Sequence, residues 1–232
     1  MTRISVIVPA FNAAHTLAQT LASASTQSCP PLEIIVVNDG STDGTERMAL
    51  EAAMRKPHAA APVRLISQPN RGVATAMNQG VRAARGDWIT ILDADDLWSP
   101  DSLSSHVACL AENPHLDACL GWMNEFTCPS LAPEVAAHFM PREAQAGWLA
   151  GATLVKREAF DRIGLFDPTL KLGGWIDWVD RARGAGLSFG VHEHLVLHRR
   201  LHPSSLSMSE VARRGALLQV ARLALLRKRQ NP

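Results

Sequence analysis

The chain has 232 residues, enough for one domain with a full core or for two small ones. Apolar residues make up 47% and charged residues 19%, an ordinary globular balance, and a net charge of +1 offers no basic surface of the kind that recruits nucleic acid. The opening apolar stretch is too short for a secretory signal, and no later run reaches the roughly 18 apolar residues of a spanning helix. The four cysteines (Cys29, Cys109, Cys119, Cys128) show no C-x-x-C spacing, so the chain reads as cytosolic with free thiols.

In chain order, Ile4 to Val8 is a β-branched run closed by Pro9, which predicts a buried first strand. Asn12 is placed to cap a helix carrying Leu17, Ala18, Leu21 and Ala24 at helical spacing. Glu33 to Val37 is a second buried strand. It ends in Asn38-Asp-Gly-Ser-Thr-Asp-Gly-Thr45, where Asp43 and Glu46 have the spacing of a capping box. A third strand, Val63 to Ser67, leads through a turn at Pro69 to Val73 into a helix over 73–84, and the apolar run Trp88 to Leu92 is the fourth strand. This β-α-β-α-β-α-β alternation predicts a parallel sheet with helices on both faces, whose ligands lie beyond the carboxyl ends of the strands. Neither G-x-G-x-x-G nor G-x-x-x-x-G-K-[ST] occurs, which disfavours a dinucleotide fold and a P-loop.

The second half is less regular. It predicts a helix over 102–112, a strand over 118–126 and an accommodating Pro/Ala-rich loop over 127–146. A strand-like run over 148–155 follows, then short helices over 156–163 and 177–185 and a strand over 191–197. A basic helical tail over 209–229, with Leu217, Leu218, Ala221 and Leu225 on its apolar face, reads as a packing or docking helix, for a partner or a membrane surface. No internal repeat or linker divides the chain, so one domain over 1–232 is expected.

The most informative stretch is Trp88-Ile-Thr-Ile-Leu-Asp-Ala-Asp-Asp-Leu-Trp98. Asp93, Asp95 and Asp96 stand together where a buried strand ends. Such crowding is self-repulsive unless a hard divalent cation sits among the oxygens, as Mg²⁺ and Mn²⁺ do when one or two carboxylates and a substrate phosphate hold them. The plainer reading is an acidic loop in which Asp95, Asp96 or Ser99 caps the helix near Pro100. Asp39 also closes a predicted strand, so it and the acidic cluster can share one cleft.

With these motifs in order, the sequence resembles the family 2 glycosyltransferases of the GT-A fold. The resemblance rests on Ser5-Val-Ile-Val-Pro-Ala-Phe-Asn12, Val36-Val-Asn-Asp-Gly-Ser-Thr-Asp-Gly-Thr45, Asn70-Arg-Gly72, Leu92-Asp-Ala-Asp-Asp-Leu-Trp98, Gly164-Leu-Phe-Asp167 and Arg199-Arg-Leu-His-Pro-Ser-Ser-Leu-Ser207. It implies inverting transfer of a sugar from a UDP-, GDP- or dTDP-sugar to an acceptor, with Mn²⁺ or Mg²⁺ as cofactor. Residues 1–100 would form the donor half, 101–207 the acceptor side and 208–232 the basic helix.

By the same resemblance, Pro9, Ala10 and Phe11 contact the nucleotide, with Asn70 and Gly72 in the binding loop, and Asp39 meets the base. Asp93 and Ala94 belong to the D-x-D donor motif, Asp95 is the metal ligand, His202 serves the diphosphate or metal, and Arg200 (with Arg199) contacts phosphate. The sequence departs from the family where a Glu-Asp pair is usual, since those positions fall at Gly174 and Trp175. Asp177 is then the candidate catalytic base, against the plainer reading of an acidic first-turn residue favoured by the helix dipole, while Asp180 is expected to pair with Arg183 or Arg181. Met77 stands where many members carry arginine. A zinc site among His192, His194, His198 and His202 is the minor alternative: the H-x-H spacing puts two rings on one strand face, but no H-E-x-x-H helix exists. Trp148 and Trp175 are candidates for stacking on an acceptor sugar or for packing.

Overall fold

The protein is described here by a computed structural model covering residues 2–54, 61–128, 131–137, 141–203, 215, 218–225 and 227. Among the described residues, nine strands form one sheet. The first half supplies β1 (Ile4–Ala10), β2 (Glu33–Asp39), β3 (Val63–Gln68) and β4 (Trp88–Ile91). These run parallel in the order β3-β2-β1-β4, with β1 in register from Ser5 opposite Glu33 to Ala10 opposite Asn38. The first strand extends two residues past its expected end at Val8. Pro9 is accommodated because pairing with β4 has already stopped at Ile7, so its missing N–H interrupts no ladder there.

Every residue of β1 and β2 is buried. Alternate side chains feed two cores. Ile4, Val6 and Val8 pack with Leu17, Leu21 and Leu103 on one face, and Ile7 packs with Val81, Phe160, Phe166 and Trp178 on the other. The helices α1 (Leu17–Ser25), α2 (Thr45–Met54) and α3 (Val73–Ala83) cross between the strands. Contact between α3 and β1 is close enough to require glycine, since a Cβ on Gly80 would lie 2.2 Å from the Ile7 Cγ2.

Beyond β4 the sheet becomes mixed. The later strands are β5 (Leu97–Trp98), β6 (Ala118–Thr127), β7 (Gln145–Ala146), β8 (Thr153–Lys156) and β9 (Phe189–Leu201). The order continues β4-β8-β6-β9-β5, with β7 on β6; β8 runs antiparallel to both neighbours and β9 runs parallel to β6. This is the expected α/β architecture with helices over both faces. The remaining helices are α4 (Ser102–Glu112), α5 (Pro133–Ala136), α6 (Arg157–Ile163) and α7 (Gly174–Gly184).

Several local expectations need correction. Asn12 does not cap α1, whose N-cap is Thr16. It adopts φ 50°, and its Oδ1 instead accepts the backbone N–H of Thr42. Asp43 and Glu46 form no reciprocal box, because Glu46 accepts the Ser67 hydroxyl while Asp43 accepts the N–H groups of Thr45 and Ala14. The run over 148–155 is a strand only from Thr153, after a 3₁₀ turn over Ala150–Ala152. Helix α7 begins three residues before Asp177. In the tail, residues 218–225 are helical, with Val220 buried and Leu218, Ala221 and Leu225 of the expected apolar face exposed. Leu217 and residues 204–207 of the closing motif lie outside the described residues. Among the described residues no helix is long and apolar enough to cross a membrane.

Candidate functional site

The chain leaves β4 at Leu92, whose N–H still donates to the Ile7 carbonyl, and turns at once, with the N–H of Asp96 donating to the carbonyl of Asp93. This turn gathers Asp93, Asp95 and Asp96, each offering an oxygen within 4.8 Å of the others. The buried Thr20 hydroxyl on α1 anchors the turn from below, lying 2.9 Å from the carbonyl oxygens of both Ala94 and Asp96. Ala94 itself is buried.

The end of β9 folds across the same turn. Arg200 donates its backbone N–H to Asp96 Oδ1 (2.8 Å), its Nε–H to the Asp95 carbonyl (2.7 Å) and another guanidinium N–H to Gln19 Oε1 (2.7 Å). Its guanidinium also lies over the Phe126 ring at 4.9 Å. His202 Nε2 reaches Asp95 Oδ2 at 2.9 Å. The two expected metal ligands are therefore side by side, although they are distant in sequence. Neither Asp95, Asp96 nor Ser99 caps the next helix: the N-cap of α4 is Asp101, and the Ser99 hydroxyl pairs with His198.

The electrostatics of the turn are only partly compensated. Asp93 is open to solvent on one side yet crowded by protein. Lost hydration and the adjacent Asp95 push its carboxyl up to about 7, with Arg199 partly offsetting them. Asp96 is buried, and desolvation followed by the charges of Asp95 and Asp93 raises it well above the usual carboxylate range. A cation would relieve this repulsion, and carboxylate oxygens with one imidazole make a donor set that suits Mn²⁺ or Mg²⁺.

Across β1 lies the loop after β2. Asp39 is buried, and both its oxygens are engaged: Oδ1 accepts from Gln68 Nε2 (2.7 Å) and the Arg71 N–H (2.9 Å), and Oδ2 from the Gly72 N–H (2.8 Å). Asp39 thus shapes the Asn70-Arg71-Gly72 turn. Gly40, at φ +72°, lets that turn approach so closely that a Cβ would stand 2.6 Å from the Asn70 nitrogen. Pro9 and Ala10 end β1 between the two acidic positions, and Phe11 projects into solvent, 49% exposed. The loops after β1 and β2 are tied together, since Asn12 N–H donates to Ser41 Oγ and Ala13 N–H to Thr45 Oγ1. The structure therefore assembles Pro9, Ala10, Phe11, Asp39, Asn70, Gly72, Asp93, Ala94, Asp95, Arg200 and His202 along the carboxyl edge of β2, β1 and β4.

Asp177 has different surroundings. It is 1% exposed, and its oxygens are taken by Arg181 Nε (2.9 Å) and Arg227 (2.7 Å). Asp180 pairs with Arg227 at 3.0 Å rather than with Arg181 or Arg183. Arg181 also donates to the carbonyls of Ile163 and Leu165 and so locks α7 to the turn after α6. Trp175, at one of the two Glu-Asp positions, stacks on Trp178 with ring centroids 5.6 Å apart, and its buried indole N–H has no acceptor among the described residues. Trp148 is partly exposed, with the Arg183 guanidinium 5.4 Å from its ring centre.

Residues 5–163 match the sequence profile of Glycosyl transferase family 2. The chain belongs to that family. Among curated relatives, the uncharacterized glycosyltransferase YibD of Escherichia coli K12 is 40% identical over 94 residues, which are 40% of this chain and 26% of YibD. The chondroitin synthase of Escherichia coli is 38% identical over 109 residues, 47% of this chain and 15% of the synthase. This family 2 chain thus spans only a small part of those relatives' length. Its structure resembles the mannosyltransferase PcManGT of Pyrobaculum calidifontis, solved with GDP-Man and Mn²⁺, at TM-score 0.74 and 25% identity over 96% of this chain and 64% of that one. It also shares its fold with S. aureus TarS bound to UDP-GlcNAc, at TM-score 0.72 and 18% identity over 90% of this chain and 61% of that one. The fold is therefore the GT-A fold of these glycosyltransferases.

Sequence reasoning missed the residues that hold the acidic turn in place. Gln19 and Thr20 sit on α1, and only Thr20, a polar residue on the buried face of that helix, carried a signal. Arg227 lies in the tail and carried none.

Proposed function

We propose that the chain catalyses metal-dependent, inverting transfer of a sugar from a nucleotide sugar to an acceptor hydroxyl. The observation that carries this is the contact of Asp95 with His202 inside an only partly compensated carboxylate cluster at the end of β4. Asp95 and His202 would hold Mn²⁺ or Mg²⁺, with Asp93 and Ala94 lining the donor side. When bound, the ion neutralises charge on the departing diphosphate. Pro9, Ala10 and Phe11 would line the nucleotide site, with Asn70 and Gly72 presenting backbone to it. Asp39 would meet the base while fixing that loop. Arg200 would act mainly by holding the Asp95 carbonyl and Asp96 in position, since its own guanidinium is buried and satisfied. The ligands of PcManGT and TarS support GDP- and UDP-sugars as donor classes, with dTDP-sugars the remaining candidate. Cys29, Cys109 and Cys119 carry thiols rather than disulfides, which supports a cytoplasmic setting.

The acceptor hydroxyl needs a base within hydrogen-bond reach. Asp177 is the carboxylate we propose for it, and this role requires Arg227 to swing away when the acceptor binds. A second reading, donor binding without turnover, is favoured by the double ion pair on Asp177 and by Gly174 and Trp175 at the Glu-Asp positions. Release of nucleoside diphosphate from UDP-, GDP- and dTDP-sugars, measured with Mn²⁺ and with EDTA, separates the readings. Metal-dependent turnover that Asp177→Asn abolishes while donor binding persists supports the first. Donor binding with no turnover in the presence of varied acceptors supports the second.

A further inference from the structure

A second group of metal-ligating side chains lies outside the cleft, between α4, β6 and β9. His106 on α4 and Cys119 on β6 are buried, and His192 enters from β9. Their ligand atoms all lie within 4.8 Å of one another, with His106 Nδ1 3.0 Å from His192 Nε2. Two imidazole nitrogens bound to one tetrahedral zinc stand about 3.3 Å apart, given Zn–N bonds of about 2.0–2.1 Å. The histidine pair is therefore within a few tenths of an ångström of zinc spacing, and the Cys119 thiol lies within 4.8 Å of both nitrogens.

The backbone leaves room for this arrangement. A Cβ on Gly121, also on β6, would lie 2.8 Å from His192 Cε1, so glycine is what allows the ring to lie over the strand. One helical turn after His106, Cys109 contacts the Cys119 thiol and offers a fourth donor. Nitrogen and sulfur donors of this kind select zinc over the hard ions suited to the carboxylate turn.

We propose that His106, Cys119 and His192, with Cys109 beside the Cys119 thiol as a fourth donor, form a structural zinc site that staples α4 to β6 and β9. The site is independent of the glycosyl-transfer reading. The alternative is a histidine pair sharing one proton beside two unreactive thiols.

The test uses the full chain carrying Asp95→Ala, so that the carboxylate turn contributes no metal. After purification and dialysis, we expect one equivalent of zinc per chain by elemental analysis. Replacement by Co²⁺ should give a thiolate-to-cobalt charge-transfer band and tetrahedral visible bands. Adding Cys119→Ser should remove the charge-transfer band. Adding His192→Ala, which alters a partly exposed ring and spares the core, should lower bound zinc to below a tenth of an equivalent and abolish any rise in melting temperature on adding zinc. A chain that takes up no zinc from an equimolar solution overturns the proposal, as does a cobalt complex without a thiolate band.

Discussion

Two acidic positions of this chain look alike in sequence, each a small group of aspartates near tryptophan, and differ in what surrounds them. At Asp93, Asp95 and Asp96 the carboxylates face one another, and two of them are pushed above the ordinary carboxylate range. At Asp177 and Asp180 the charges are met by Arg181 and Arg227. The first arrangement carries a surplus of negative charge that a cation would relieve, whereas the second is complete in itself. Buried Glu33 is of the second kind: burial pushes its carboxyl up, but bonds from Arg64 and Arg85 outweigh that and hold it below the ordinary range. Whether a buried carboxylate is compensated by the protein thus distinguishes a candidate cation site from an ion-paired position, and Asp177 becomes available to a substrate only when Arg227 moves away.

The comparison is broken most sharply by Asp95→Ala. We expect it to weaken Mn²⁺-dependent nucleotide binding by about a hundredfold or more, read by calorimetry, while leaving the fold intact by circular dichroism. Next comes Asp177→Asn. Removing one charge from a buried, doubly paired carboxylate should cost about 2–4 kcal/mol, discounted for the partial exposure of both arginines and measured by urea unfolding, with nucleotide affinity unchanged. A weaker effect is expected for His202→Ala, about a tenfold loss in Mn²⁺ affinity, because Asp95 and the diphosphate remain as ligands.

The pH dependence of the metal-free chain is the subtlest test. Asp93 and Asp96 are raised in the folded state, so the fold retains protons that the unfolded chain releases at ordinary carboxylate values. Stability should therefore fall as pH rises from about 4 to about 7, and Mn²⁺ should bind more tightly over the upper part of that window and remove much of the loss. The Asp95→Ala variant should show a shallower slope in thermal melts across the same range.

Much of the first half was legible in the sequence. Strands β1 and β2 and all but the first residue of β4 are buried, so each appears as an apolar run, and the acidic cluster follows the last of them; β3, at the sheet edge, is only half-buried and mixes polar with apolar residues. The second half was harder to read for physical reasons. Strand β9 carries His192, Glu193, His194, His198 and Arg199, and its thirteen residues are held by pairing with β6 rather than by an apolar pattern. Strands β5 and β7 are two residues long and exist only through their partners. The Arg227 contact spans 50 residues, and the grouping of His106, Cys119 and His192 follows from the sheet order rather than from any short motif.

The most direct measurement is calorimetric titration of the wild-type chain with UDP, GDP and dTDP, each with and without Mn²⁺. We expect one of the three to bind with micromolar affinity in Mn²⁺ and at least about tenfold more weakly in EDTA. Equal affinity with and without the ion, or no binding of any nucleotide, would contradict the assignment of the Asp93–Asp96 turn as a metal-dependent donor site.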